Sequence, residues 1–130
     1  MKPPEAEWEY ACLAGNQKAY GFGSDANQLG MYAWHRDNLG EKTHPVGQKK
    51  PNAWGLYDMH GNVREWCQDW YGEYSSGFAV DPVGPNGGLH RLQRGGAWGA
   101  MPNDARCAER SSAPPAPAHF RIGFRLVRAP

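Results

Sequence analysis

Asp58, Asn62, Glu65 and Asp69 crowd into the stretch GLYDMHGNVREWCQDWY at residues 55–71, interleaved with Tyr57, Trp66, Trp70 and Tyr71. Hard oxygen donors at short spacing in a turn-forming segment suit a hard cation, whereas large rings favour burial. The mixture reads as a polar-studded loop pinned by rings, with Trp66 and Trp70 in the core, and as a first candidate for an active site. The other reactive side chains are scattered. Cys12, Cys67 and Cys107 are odd in number and widely spaced, with no CxxC, and read as buried thiols serving as small apolar groups. His35, His44, His60, His90 and His119 show no HxxxH grouping, so spacing supports no facial metal triad, and each reads as a surface or turn residue. No Ser–His–Asp or Cys–His site has positional support.

The elements that must position these residues come from a chain of 130 residues, the size of one domain with a single core. Seventeen glycines and eleven prolines exceed a fifth of the chain, and they alternate with six Trp and six Tyr. That combination describes a loop-rich fold held by scattered rings rather than disorder. The formal net charge of +1 gives no electrostatic reason to expect nucleic acid or a membrane surface as partner. The N-terminus is acidic and polar within ten residues, with no leader-like or membrane-spanning apolar run, so the default expectation is a cytoplasmic protein.

Residues 4–14, PEAEWEYACLA, predict a helix. Pro4 opens it, Glu5 and Glu7 favour the positive end of its dipole, and Trp8, Ala11 and Cys12 share a face. Gly15-Asn16 is expected to end it in a left-handed cap. Short strands are expected at 32–34 and 44–46, a strand in LHRLQRGGAW (89–98) ended at Gly95-Gly96, and closing strands at 106–110 and 122–127. In the last of these, Arg125 between Phe124 and Leu126 gives the alternation of a half-buried strand. Residues 99–105 and 111–120 read as loops, where binding surfaces usually lie.

The motifs EAEWEYA, THPVGQKKPNAWGLYDMHGNVREWCQDWY, RGGAW, RCAER and IGFRLV, in that order, resemble the formylglycine-generating-enzyme (sulfatase-modifying-factor) domain. The resemblance runs from Glu5 to near the C-terminus and implies an α+β, C-type-lectin-like fold over 1–130, N-terminally short relative to the family. It also implies a structural calcium ion held by Asp58, the carbonyls of Gly61 and Val63, and Glu65; Arg64 stands where the family usually has Trp. Enzymes of the family hold copper(I) on two cysteines just beyond a turn like Gly95-Gly96-Ala97-Trp98. Here Gly99, Ala100 and Met101 follow instead, so no copper is expected. The sulfoxide synthases that share the domain take their iron from histidines of a separate helical bundle, which has no counterpart here.

The fold also serves as the variable protein of diversity-generating retroelements, in which Asn codons become NNY codons in a C-terminal segment. Gly99, Ala100, Asn103, Asp104, Ser111, Ser112, Ala113, Ala116, Ala118, His119 and Phe120 belong to the NNY set. Met101 and Glu109 do not and would be framework. With Trp98 as an aromatic anchor and Met101 between them, these residues form the expected contact surface for a protein or other surface ligand. Arg106, Arg110, Arg121 and Arg125 are expected to hold loops to carboxylates such as Glu65 and Asp69 rather than to form an anion pocket. The expectation is a non-catalytic binding module; the alternative is an oxidase of this superfamily or a fragment of one.

Overall fold

The computed structural model describes residues 1–38, 40, 42–116 and 118–129. Its helix α1 spans Glu5–Leu13, with Pro4 just outside as the N-cap. Pro4 has no side-chain acceptor to offer, and a carboxylate from elsewhere caps the helix: the Glu5 N–H donates to Asp69 Oδ1 at 2.7 Å. The left-handed exit begins one residue earlier than expected, at Ala14 (φ 50°), and continues through Gly15 (φ 88°).

Four strands form one sheet in the order β3-β2-β1-β4. They are β1 (Arg64–Trp70), β2 (Arg91–Arg94), β3 (Ser111–Ala113) and β4 (Ile122–Gly123). β2 lies antiparallel to both β1 and β3, while β4 runs parallel to β1. A bulge between Trp66 and Trp70 breaks the β1–β2 register. A short helix α2 (Leu29–Tyr32) and two 3₁₀ turns, Ala26–Gln28 and Pro102–Ala105, complete the regular structure of the described residues. The core lies between α1 and the sheet, where Trp8, Cys12, Met59, Cys67, Leu92 and Cys107 pack together; Tyr20, Leu29, Ala33 and Ala105 form a second cluster.

Several expectations change. Half of the 55–71 stretch is a strand, and its inward face is the reverse of the expected one. Glu65, Cys67 and Asp69 point into the core, while Trp66 and Trp70 are half-buried on the other face. The carboxylates tolerate burial because each finds donors there: Trp8 Nε1 and Arg125 for Glu65, and the helix N–H for Asp69. Trp70 is instead covered by the Arg91 guanidinium, 3.7 Å from the ring centre. Residues 32–34 and 44–46 are not strands. The Trp34 carbonyl accepts from Asn62 N–H, and a Cβ at Gly61 would lie 2.2 Å from that oxygen, so this approach requires glycine.

Residues 106–110 are turn and coil, whereas Ser111–Ala113, expected as loop, is the edge strand. The closing strand shrinks to Ile122–Gly123, and beyond it the expected alternation is inverted. Phe124 (63% exposed) and Leu126 (68%) face outward while Arg125 turns in to its acidic partner.

Candidate binding face

The turn after β2 sets the position of the expected contact residues. Gly95 (φ 97°) and Gly96 (φ 65°) swing the chain off the sheet. A Cβ on Gly96 would meet Asp104 O at 3.1 Å and Ala100 Cβ at 3.3 Å, so the chain folds tightly over the Pro102–Ala105 turn. Backbone bonds then lock the segment: Trp98 N–H donates to Asn62 O, Ala100 N–H to Ala97 O, and Arg36 N–H to Ala100 O at 3.1 Å. Asp104 Oδ2 accepts from Met101 N–H, and Tyr20 Oη donates to Pro102 O.

Onto this segment folds the turn before β4. Ile122 N–H donates to His119 O, and Arg64 N–H to Arg121 O. The Phe120 ring centre lies 6.2 Å from that of Trp98, and His119 stacks on Phe120 at 4.6 Å. The Arg121 guanidinium sits over both rings, 4.6 Å from Trp98 and 5.2 Å from Phe120. Phe120 is 68% exposed and Met101 49%, and Gly99, Asn103, Ala118, His119 and Arg121 are exposed as well. Ala100 is buried and Asp104 half-buried, so those two support the face rather than present it.

The expected surface does not hold together as one unit. Trp98, Gly99, Met101, Asn103, His119 and Phe120 gather at the β4 edge of the sheet, whereas Ser111, Ser112 and Ala113 form β3 at the opposite edge. Ser112 Oγ there lies 3.4 Å from His90 Nδ1. Ala116 is exposed between the two groups. Arg121, expected to hold a loop to a carboxylate, instead lies exposed over Trp98, 23 residues back in the chain, and over its neighbour Phe120.

The residues of the implied calcium set play mixed roles. Asp58 Oδ2 accepts from Gly47 N–H at 2.9 Å, while Oδ1 is buried without a partner, which suits a cation. Glu65 does not: its two oxygens take the Arg125 fork, and Oε2 also takes Trp8 Nε1 at 2.7 Å. Calcium needs about six to eight open oxygens, and this donor set, with its glutamate held by a guanidinium, does not fit the ion as arranged.

A buried thiol pair is the grouping that sequence spacing hid. Cys12 Sγ and Cys107 Sγ lie 2.7 Å apart beneath His60, and all three residues are buried, His60 contrary to its surface reading. Burial pushes the Cys12 thiol up, and its Cys107 neighbour adds to the shift; Cys67 is pushed up to about 12 by burial. Protonated thiols are poor metal ligands. His60 offers no free nitrogen, since Nε2 accepts Gly21 N–H and Nδ1 faces Ala105 O at 2.8 Å. Cys12 Sγ is 3.9 Å from both ring nitrogens, placing it over the ring face rather than along a lone pair. A cleft of about 750 Å³ between α1 and residues 72–75 and 82–85 is lined by Glu5, Glu9, Asp69, Tyr74 and Arg110. Glu5 within it is already bound by Arg94 and Arg110.

Comparison with known proteins agrees with this architecture. The solved structure of Treponema denticola variable protein 1 superimposes with a TM-score of 0.90 at 40% identity, covering 95% of this chain and 45% of that one. PvdO from Pseudomonas aeruginosa gives 0.83 at 32% identity, covering 95% of this chain and 50% of PvdO. Among curated proteins, the serine/threonine-protein kinase pkn1 of Chlamydia caviae is 39% identical over 97% of this chain and 20% of its own length. The formylglycine-generating enzyme of Streptomyces coelicolor is 36% identical over 96% of this chain and 45% of its own length. The chain thus spans from a fifth to about half of the relatives it matches. Its fold is α+β of the C-type-lectin-like, formylglycine-generating-enzyme type. Residues 2–130 match the model of the sulfatase-modifying factor enzyme 1-like domain, and the chain belongs to that family.

Proposed function

We propose that this chain is a ligand-binding module whose variable surface is the face made by residues 98–103 and 118–121, and that it recognises a protein or other surface ligand there. The observation that carries the reading is the division of labour at this face. Its backbone is pinned by main-chain bonds to Asn62, Arg36 and Arg64. Trp98, Met101, Asn103, His119 and Phe120 project from it with little part in the core. Side chains there can change without disturbing the packing of Trp8, Cys67 and Leu92. The likeness to a variable protein of Treponema denticola supports the same use, and the NNY-compatible residues at 99, 103 and 118–120 support diversification by a retroelement.

The test is to exchange Gly99, Asn103, Ala118, His119 and Phe120 together and in combinations, measuring thermal unfolding and binding from a displayed ligand library. Exchanged variants that keep the unfolding midpoint within a few degrees while changing their selected ligands support the proposal. Variants that unfold show the face to be structural and defeat it. A reverse transcriptase gene beside a near-copy of the segment encoding residues 95–125 is the matching genomic signature. The oxidase alternative demands copper(I) binding and oxygen consumption with a cysteine peptide. All three cysteines are buried, and none lies on this face.

A further inference from the structure

We infer that the ligand of this face is an acidic protein segment, held by Arg121 through a side-chain carboxylate and flanked by Arg36. This rests on the binding role proposed above and specifies its partner. The arginines of the chain fall into two groups. Arg94, Arg106, Arg110 and Arg125 each form an ion pair with Glu5, Glu9, Glu65 or Glu109. Arg36, Arg64, Arg91, Arg121 and Arg128 have no carboxylate partner among the described residues, and the Arg91 guanidinium is engaged by Gln68 O and the Trp70 ring instead. Of these, Arg121 and Arg36 bring their guanidinium groups to the candidate face. Arg64 N–H donates to Arg121 O, and Arg36 reaches Met101 Sδ at 3.3 Å.

Arg121 is also prepared for its task. Its guanidinium lies over the rings of both Trp98 and Phe120. Among the described residues no side-chain hydrogen bond uses its guanidinium N–H groups, which form the fork that a carboxylate fills with two parallel bonds. Stacking reduces the rotamer freedom that such an arginine loses on binding. Among the described residues none of the nearby acids forms an ion pair with it: Asp104 is engaged by Met101 N–H, Glu109 by Arg106, and Asp37 stands beside His35. Exposed Phe120 and Met101 around the cations favour a folded or peptide partner with apolar side chains over a polyphosphate. The chain's net charge of +1 also provides no extended basic track for a polyanion.

A displayed library of random dodecapeptides, panned against the whole chain at low salt, tests this. The recovered peptides are synthesised with and without amide replacement of their carboxylates. The expected result is enrichment of Asp and Glu and binding weakened about tenfold or more by Arg121→Met or by amide replacement. Arg121→Lys should retain part of the affinity, Arg36→Gln should lose a few-fold, and raising salt tenfold should weaken every binder. Each variant is first confirmed to unfold within a few degrees of the parent. Peptides lost on Phe120→Ala but indifferent to Arg121→Met overturn the acidic partner while leaving the binding face standing. Peptides indifferent to both Trp98→Ala and Phe120→Ala, or no binder at all, overturn both. Displacement of the peptides by heparin at lower concentration than by their own free forms assigns the face to a polyanion and overturns the inference.

Discussion

Arg125 lays its Nε on Glu65 Oε2 and a terminal nitrogen on Oε1, both at 2.6 Å and across sixty residues of chain. The same terminal nitrogen also donates to Tyr57 O at 2.9 Å. A guanidinium therefore ties the 57–65 segment to the C-terminal end of the chain, and it occupies the carboxylate that the family resemblance assigns to calcium.

Arg125→Met should accordingly destabilise the domain by about 2–4 kcal/mol, read as a shift in the urea midpoint, because it leaves Glu65 buried beside Trp8 without its cation. EDTA should leave the thermal midpoint of the parent within a degree. A loss of several degrees on chelation would restore calcium to this loop, with the unpartnered Asp58 Oδ1 as its first ligand.

Glu5 is the second buried charge centre. It receives Arg94 Nε at 2.9 Å, Arg110 Nε at 2.6 Å and Arg110 Nη2 at 2.9 Å, and Tyr74 Oη lies at 3.2 Å. Arg94 has no exposed side-chain surface, so removing Glu5 leaves this buried cation with Glu9 alone and leaves Arg110 with no carboxylate among the described residues. Glu5→Gln should cost about 3–5 kcal/mol, while Glu7→Gln on the exposed side of the same helix should change little. Equal effects in chemical denaturation would show that the cluster contributes nothing beyond helix propensity.

His60 should make stability fall in mild acid. Burial lowers its pKa from 6.5 to about 4, only partly opposed by its bond to Ala105 O. The unfolded chain therefore takes up a proton near pH 6.5 that the folded chain refuses until about pH 4. Stability is full above that window and declines through it as pH falls, by roughly 3 kcal/mol in all. Urea unfolding between pH 4.5 and 7.5 reads the slope; a flat profile would mean that His60 titrates normally in the fold.

Cys12 and Cys107 should oxidise with each other before either meets Cys67. With oxidised glutathione as oxidant, the two thiols give up two electrons and two protons, forming one disulfide and releasing two molecules of reduced glutathione. Peptide mapping by mass spectrometry should find the bridge between residues 12 and 107, with Cys67 a free thiol. A bridge to Cys67, or complete resistance to oxidation, would contradict the 2.7 Å approach of the two sulfurs. Reaction should be slow until the domain opens, because both sulfurs are sealed in the core.

Much of the scaffold was legible in the residues. Pro4, the early glutamates and the Trp8–Cys12 face mark α1, and Gly95-Gly96 marks the end of β2, because capping, periodicity and positive φ are local requirements. The role of 55–71 was not legible. Local composition sends rings inward and carboxylates outward, yet Glu65 and Asp69 point in because their donors, Trp8, Arg125 and the Glu5 N–H, arrive from 57 to 64 residues away. The same distance effect hid β3, whose Ser-Ser-Ala carries no alternation and forms only because β2 offers it an edge. It also hid the thiol pair, which is separated by 95 residues.

The order of its motifs places this chain, from sequence alone, in the C-type-lectin-like family, and the types of residue at 98–105 and 111–120 mark a candidate contact surface, which the fold narrows to 98–103 and 118–121. Tertiary structure decided which charges are used up and which remain. Pairing across the sheet and helix consumes Arg94, Arg110 and Arg125 on buried glutamates, whereas the turns around Trp98 and Phe120 leave Arg121 over two rings, exposed and without a carboxylate among the described residues. Spacing along a chain cannot make that distinction, because whether a charge is neutralised depends on which distant side chain the fold brings within about 3 Å of it.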